Sequence, residues 1–256
     1  MSSLEWEPRP ARPPRAGVLA SFFSHALSPR EAARAISTQS EPSKPKDNKF
    51  VSASLKSKTK ARGSEAVQMA LIEAACSLLA EVGPRTLSVR DIADRAGVNH
   101  GQIHHYFGGK SGLLAAAMRH LAQSHYDQAQ ARAGNRLIPP PLSLAEDTQY
   151  WRALCHSIMD GHMDLARIET HENISIPKRV LQSLQEENPQ EDPLAIKAAV
   201  AANAAMQLGW VAFEEFMFEV TEVKAKERKA LREAVKLYIE KNIDHRFGST
   251  YSKTEG

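Results

Sequence analysis

Apolar residues recur every three or four positions from residue 64 onward, the spacing that places them on one face of an amphipathic helix. The repeated positions are Val67, Leu71, Ala75, Leu78 and Val82. Gly83 and Pro84 follow directly, and both residue types commonly end helices. The pattern therefore predicts a first helix from residue 64 to residue 82.

Two short helices are predicted next, and each has its own start signal. Ser88 and Asp91 have the spacing of a capping box, in which the two residues exchange side-chain and backbone hydrogen bonds. Asn99 and Gln102 repeat that spacing, and Gly97 suits a left-handed turn between the two helices. Residues 88–107 therefore predict a helix-turn-helix, with its core at the inward positions Ile92, Ala93, Ala96, Ile103 and Phe107.

The second short helix carries hydrogen-bonding side chains on its predicted outward face. Side-chain amides can pair with an adenine edge, and imidazoles can donate to guanine N7 or to phosphate, so this face suits readout of a DNA major groove. Asn99 also has a purely structural explanation, because a role as a helix cap is enough to account for this residue. The outward residues are Asn99, His100, Gln102, His104 and His105.

Further DNA contacts are predicted around this helix. Lys110 follows Gly108 and Gly109 at the start of a fourth helix, where free backbone N–H groups and an ammonium could hold a phosphate. Residues 64–110 contain four Lys and Arg against five Asp and Glu. DNA affinity must therefore come from the placement of charges rather than from their number. The remaining predicted DNA contacts are Arg85, Ser88, Arg90 and Tyr106.

The runs Thr86 to Ala93, Ala96 to Val98 and Phe107 to Leu114 resemble the TetR family of bacterial transcriptional regulators. The resemblance covers about residues 64–125. It implies an all-α fold, with a three-helix helix-turn-helix DNA-binding domain followed by a larger helical domain for ligand binding and dimerisation. One departure concerns His104 and Tyr106, since family members commonly have Tyr at the first position and often His at the second.

Residues 1–63 differ in composition from the rest of the chain. They hold seven prolines, many Ser residues, and 12 Lys and Arg against five Asp and Glu. Since the whole chain has a formal net charge of only +3, the basic excess lies in this segment. The segment predicts a disordered basic extension. Alternatives are a start codon assigned too far upstream, a secretion signal disfavoured by its short, broken apolar run, or a DNA-binding arm containing Lys56, Lys58, Lys60 and Arg62.

Residues 126–256 predict the ligand-binding and dimerisation domain. Its first helices mix apolar and polar side chains in a way that could line a ligand cavity, although plain core packing is the stronger explanation for any one of them. The candidate cavity residues are Trp151, Cys155, His156, Met159, His162 and Met163. The sequence does not identify the ligand.

Of the last two predicted helices, 193–220 has too much apolar surface for one side, and 225–243 is amphipathic. Two such helices from each of two subunits would form a four-helix bundle, the dimer interface that the resemblance also implies. A symmetric homodimer would place two readers about 34 Å apart and would bind a pseudo-palindromic operator. The candidate interface residues are Met206, Gly209, Trp210, Phe213, Leu231, Val235 and Tyr238.

Several functional classes are disfavoured by the sequence. Only two cysteines are present, so no disulfide framework is indicated and a reducing cytoplasm fits. No unbroken apolar run of about 20 residues exists, so no membrane span is predicted. His100 and His104 lie four residues apart, but no Cys or acid completes a metal site. No nucleophile with its base and no phosphate-binding loop is recognisable, so neither an enzyme nor a cofactor is predicted.

The leading hypothesis is a cytoplasmic, homodimeric repressor that associates with the nucleoid through a double-stranded DNA operator and is released by a small-molecule effector. An activator would show the same pattern. A second hypothesis is a helical enzyme or metal-binding protein that uses His156, Asp160, His162 and Asp164. A third is an architectural DNA-binding protein whose basic tail supplies sequence-independent affinity.

Overall fold

The structure is a computed structural model, and it describes the backbone of residues 54–247 and the side chains of residues 63–242. Within these bounds all regular secondary structure is helical, as predicted. Short 3₁₀ helices lie at Ser143–Glu146 and Ala225–Glu227. The α-helices are α1 Ser54–Thr86, α2 Val89–Ala96, α3 Gly101–Phe107, α4 Lys110–Ala133, α5 Thr148–Met159, α6 Met163–Ala166, α7 Ile168–His171, α8 Ile176–Glu187, α9 Pro193–Val220 and α10 Arg228–Phe247.

The first helix begins ten residues earlier than predicted. Residues 54–63 were assigned to the extension because they lack an apolar period, but Leu, Lys, Ala and Arg all favour helix. At the other end, Gly83 adopts a left-handed φ of 75° and interrupts the helical path, so the predicted stop is a kink before a last turn through Thr86. The remaining residues of the predicted extension, 1–53, lie outside the described part, as do the side chains of the candidate arm.

The main core is built around α1, which packs against α5 and α4. Leu71 and Leu79 of α1 are fully buried, together with Leu113 and Met118 of α4. Val82, predicted on the buried face, is instead 42% exposed. It lies in the last turn before the kink, where the buried face has moved to Leu79 and its neighbours.

Helix α4 runs through the boundary proposed from the sequence at residues 125 and 126. Its N-terminal half packs against the short helix α3, α2 packs against α1, and the C-terminal end of α4 leads into the loop that begins at residue 134. The predicted DNA-binding and ligand-binding parts therefore share one continuous helix.

The remaining helices form a second layer. Val180 and Leu184 of α8 pack with Ile196 and Val200 of α9 in a separate apolar cluster. Helices α9 and α10 also contact each other. A bidentate ion pair between Glu214 and Arg232 joins them, with N···O distances of 2.6 and 2.7 Å.

Two segments, Gly63–Thr86 and Pro193–Val220, are long and apolar enough to cross a membrane by length and composition alone. The sequence prediction missed them because it required an unbroken apolar run. Gly63–Thr86 belongs to the core helix α1. Only 11% of the apolar window in Pro193–Val220 is buried, so α9 presents unpartnered apolar surface.

Gly112 allows α4 to start directly against the end of α3. A Cβ atom at this position would lie 1.9 Å from the carbonyl oxygen of Phe107. We expect Gly112→Ala to lower the free energy of unfolding by roughly 3 kcal/mol or more, because backbone rather than a flexible side chain must move. Thermal unfolding measures this loss.

Gly63→Ala is the matched control, since nothing lies within 4 Å of a Cβ at Gly63 in α1. Alanine there should stabilise the protein by up to about 1 kcal/mol through helix propensity. Equal melting temperatures for the two variants would contradict the close approach of α4 to α3.

Candidate DNA interface and ligand cavity

The start of α2 is fixed by the predicted capping box. The Ser88 hydroxyl accepts a hydrogen bond from the Asp91 backbone N–H at 3.2 Å, and the Asp91 carboxylate accepts from the Ser88 N–H at 2.9 Å. These bonds lower the pKa of Asp91, with the Ser88 side chain the largest cause. Gly97 then ends α2 with a left-handed φ of 67°, as predicted.

The second capping box is not formed. The Asn99 side-chain oxygen accepts from the Gly101 backbone N–H at 2.8 Å, two residues ahead rather than three, so it makes an Asx turn. Gln102 donates its backbone N–H to the Asn99 carbonyl at 3.0 Å. Helix α3 therefore begins at Gly101, and Asn99 shapes the turn that precedes it.

The predicted DNA-contacting side chains lie on α2, the following turn and α3, and at the adjoining ends of α1 and α4, a set that we call the reader face. Inward positions Ile92, Ala93 and Ile103 are buried, as predicted. Gln102, Tyr106 and Lys110 are half-buried. The exposed members are Arg85, Ser88, Arg90, Asn99, His100, His104 and His105.

Lys110 has an intramolecular partner that sequence reasoning missed. Its ammonium donates to the carbonyl oxygen of Pro84 at 2.9 Å, which ties the start of α4 to the end of α1. An ammonium has three N–H donors, so this bond leaves donors for a phosphate oxygen. Lys110 therefore links α4 to α1 and still has N–H donors for a further acceptor.

The kinked end of α1 also rests on α5. The Arg85 backbone N–H donates to the Asp160 carboxylate at 3.2 Å, and Arg152 donates to the Ala80 carbonyl at 3.0 Å. A Cβ at Gly83 would lie 2.8 Å from that same Asp160 carboxylate. These contacts join residues about 75 positions apart, which no local sequence pattern could reveal.

A cavity of about 130 Å³ opens between the C-terminal half of α4, the following loop, α5, α8 and α9. Its apolar lining includes Ile138, Leu154, Ile176, Val200 and Leu208. Its polar lining is formed by His125, Ser143, Tyr150, Glu169, Asn203 and Gln207.

The candidate cavity residues predicted from the sequence do not line this cavity. Met159 is 66% exposed and Met163 is also exposed, whereas Trp151 packs beside the main core. The cavity is reached by Tyr150 and Leu154, which lie on the neighbouring stripe of α5. Trp151, Cys155, His156 and Met159 lie on other faces of α5, and His162 and Met163 lie beyond its end.

The side chains of His125, Asp147 and Arg132 form a hydrogen-bonded network beside the cavity. The His125 Nδ1 lies 2.6 Å from the Asp147 carboxylate, which also pairs with the Arg132 guanidinium at 2.5 Å. Burial lowers the pKa of His125 despite this carboxylate. Burial alone would raise the pKa of Asp147, but hydrogen bonds from Arg132 and His125 outweigh it and lower the pKa. This network therefore contains a neutral His125 imidazole and an Asp147 carboxylate that is paired with Arg132.

Tyr150 links this hydrogen-bonded network to Glu169. Its ring stacks on His125 with a centroid distance of 4.1 Å, and its hydroxyl donates to the Glu169 carboxylate. Ser175 donates to the same carboxylate at 2.8 Å. Burial raises the pKa of Tyr150 well above its usual value, so the phenol keeps its proton.

The candidate dimer residues lie on α9 and α10, and their exposure differs. Phe213 and Tyr238 are 51% and 63% exposed. Trp210 instead has partners in its own chain, since its indole donates to Glu214 at 2.9 Å and its ring packs edge-on against Phe218. The half-buried members are Met206, Gly209, Trp210, Leu231 and Val235.

The second hypothesis required a metal site or a reactive group. Among the described residues, no three His, Cys, Asp or Glu side chains are grouped so that they could hold a metal ion. Cys76 and Cys155 are both free thiols. Burial raises the pKa of Cys76 to about 12, so its thiol keeps its proton near neutral pH.

The reader face lies within a segment that matches a known protein family. The family model for bacterial regulatory proteins of the tetR family matches residues 71–117, which begin in α1 and end in α4. The HTH-type transcriptional repressor Rv3405c of Mycobacterium tuberculosis is 31% identical over 160 residues, covering 62% of this chain and 79% of the relative. That alignment extends well beyond the segment that the family model matches.

Other similarities are shorter or more distant. The HTH-type transcriptional regulator BetI of Pectobacterium carotovorum subsp. carotovorum is 44% identical over 94 residues, covering 37% of this chain and 43% of the relative. A crystal structure of a TetR-family transcriptional regulator from Rhodococcus sp. superposes with a TM-score of 0.48 at 19% identity. It covers 72% of this chain and 99% of that one.

The lowered pKa of His125 predicts a pH dependence of stability. The unfolded chain protonates this imidazole near pH 6.5, whereas the folded chain does so only at lower pH. Below pH 6.5 the unfolded state therefore binds more protons, and stability falls by up to about 1.4 kcal/mol per pH unit from this group. His125→Gln should flatten the decline in melting temperature between pH 7.5 and 5.5.

The slopes are compared rather than the absolute stabilities, because the substitution also removes a hydrogen bond to Asp147. His120→Gln is the control, since His120 is exposed on α4. Parallel curves for wild type and His125→Gln would show that the buried imidazole is not the source of the pH dependence.

Proposed function

The chain belongs to the tetR family of bacterial regulatory proteins, and from that membership we propose that it is a repressor that a small molecule releases from its operator. It is a helix-turn-helix transcriptional regulator that binds DNA, and it is not an enzyme. The name of the Mycobacterium tuberculosis relative supports repression rather than activation, because that protein is called a repressor. Action on DNA in a bacterium leads us to expect the protein in the cytoplasm, associated with the nucleoid.

The observation that carries the operator proposal is the reader face. The capping box and Gly97 fix the start and end of α2, Ile92 and Ile103 are buried beneath the two short helices, and the turn and the second helix leave Asn99, His100 and His104 exposed. These side chains have the donors and acceptors needed at base edges in a major groove. Among the described residues of the reader face, few Lys or Arg side chains are free to bind phosphates. This favours sequence-selective binding to DNA over binding by electrostatic attraction alone.

We propose that residues 64–125 form the DNA-binding part and residues 126–256 the ligand-binding and dimerisation part. The cavity beside His125 is the proposed effector site. It lies against both α4, whose first residue borders the reader face, and α5, which holds the kinked end of α1. A ligand changes DNA affinity only if it binds the two reader arrangements unequally.

Binding to DNA from beside its own gene, against random DNA of equal length, tests the proposal across a salt series. Preference for the first DNA that survives physiological salt is expected of a sequence-specific regulator. Equal, steeply salt-sensitive binding to both would favour the architectural hypothesis instead.

Gln102 and Lys110 are predicted to act differently in this assay. Gln102→Ala should reduce the preference for operator over random DNA by about 1–3 kcal/mol, because an amide that reads a base edge is lost. Lys110→Ala should weaken binding to both DNAs about equally and reduce the salt slope by about 1, because it removes a phosphate contact.

Gln123→Ala and Lys197→Ala are matched controls, since both side chains are exposed on other helices. Melting temperatures show whether the loss of the Lys110 bond to Pro84 has unfolded the protein. Unchanged preference in Gln102→Ala would mean that α3 does not read DNA through this residue.

We further propose a homodimer in which α9 and α10 of the two subunits form a four-helix bundle. Its support is the exposed apolar surface of α9, where Phe213, Phe216 and Val220 are all more than half exposed. Packing this surface against its copy would remove it from water. A dimer of this kind predicts a pseudo-palindromic operator.

Phe213→Asp should shift the protein from dimer to monomer in sedimentation analysis and weaken operator binding at least tenfold, because a charge replaces buried apolar contact. Met159→Asp is the matched control, as Met159 is an exposed apolar residue on α5. A dimer that tolerates Phe213→Asp as well as Met159→Asp would place the interface elsewhere.

A further inference from the structure

Asn203 on α9 presents an unsatisfied donor at the cavity beside His125. The residue is only 6% exposed and lines the cavity. Its Oδ1 accepts a hydrogen bond from the Gln207 side chain at 2.8 Å, but its Nδ2 has no partner among the described residues. Gln207 is held in turn, because its Oε1 accepts from the Leu142 backbone N–H at 3.2 Å.

This arrangement fixes which atom of the amide is left over. Gln207 uses its carbonyl oxygen for Leu142, so its NH₂ group is the one that faces Asn203. Asn203 must then accept with its oxygen, and its own NH₂ is free. A buried donor without an acceptor costs free energy that a bound ligand could recover by accepting from it.

The charge around the cavity limits the ligand further. Glu169 is a lining carboxylate whose described partners, the Tyr150 and Ser175 hydroxyls, are neutral. Asp147 is matched by Arg132, and the buried His125 imidazole is neutral near pH 7. The lining is therefore net negative, which opposes the entry of a carboxylate or phosphate.

The size of the cavity sets the scale of the ligand. Its volume of about 130 Å³ is close to the roughly 150 Å³ of engineered apolar cavities that hold benzene. Most of its lining is aliphatic, through residues such as Ile138, Ile176 and Val200.

We propose that this cavity binds a compact, uncharged and mainly apolar molecule, about one ring in size, whose polar group accepts a hydrogen bond from Asn203 Nδ2. This inference rests on the proposed function, since it identifies the chemical class of the effector at the proposed effector site. It assigns recognition of the polar group to Asn203 and rejection of anions to Glu169.

Three probes of nine non-hydrogen atoms test the class. Acetophenone carries a carbonyl acceptor, cumene is of similar size without one, and benzoate is an anion. Each is titrated into the full chain while the methyl NMR signals of Ile138, Ile176 and Val200 are followed. Acetophenone should shift these signals and bind about tenfold more tightly than cumene, and benzoate should bind most weakly.

Asn203→Leu removes the free donor at similar volume. It should lower the affinity for acetophenone about tenfold, to the level of cumene, and leave the affinity for cumene unchanged. Asn203→Asp, which keeps the acceptor for Gln207 but removes the NH₂ group, should also weaken acetophenone if the leucine variant fails to fold. Asn242→Leu, at an exposed amide on α10, is the matched control and should leave both affinities unchanged.

Equal binding of acetophenone and cumene, preferential binding of benzoate, or no binding of any probe would overturn the inference. Operator binding by the same preparation without probe separates this failure from a failure of the proposed function. Intact operator binding with equal probe affinities would reject only the ligand class, whereas loss of sequence preference on DNA would reject the regulator itself.

Discussion

At the corner formed by Gly83, Pro84 and Arg85, the end of α1 contacts both α4 and α5. The left-handed φ of Gly83 turns the chain, and a side chain there would collide with Asp160. The Pro84 carbonyl accepts from Lys110, and the Arg85 N–H donates to Asp160. Since the capping box of α2 begins only three residues later, this corner sets where the reader face lies relative to the rest of the chain.

The local parts of the reader face could be predicted because their signals are local. A capping box needs two residues three positions apart, and Ser88 and Asp91 form it as expected. Asn99 shows the limit of such reasoning, because an Asx residue can accept from the second or the third following N–H. Only the backbone of the turn decides between them, and here it favours the N–H of Gly101.

The cavity could not be predicted in the same way. It is lined by residues from α4, α5, α7, α8, α9 and the segment between α4 and α5, so its position depends on how helices far apart in sequence pack. The composition of α5 indicated a mixed polar and apolar surface but not which stripe faces inward. Tyr150 and Leu154 line the cavity, whereas Trp151, one residue after Tyr150, and Met159, five residues after Leu154, do not. Successive residues of a helix are rotated by about 100°, so residues on an adjacent stripe of α5 do not line the cavity.

The length of helix α4 determines how far a movement at the cavity displaces the reader face. With 24 residues it is about 36 Å long, and it carries His125 and Ala129 at the cavity while Lys110 begins it at the reader face. His125 lies about 22 Å along the helix from Lys110, so a tilt of α4 by about 5° about His125 displaces Lys110 by about 2 Å. A tilt of a few degrees at the cavity therefore moves Lys110 by more than the narrow range of distances over which a hydrogen bond forms.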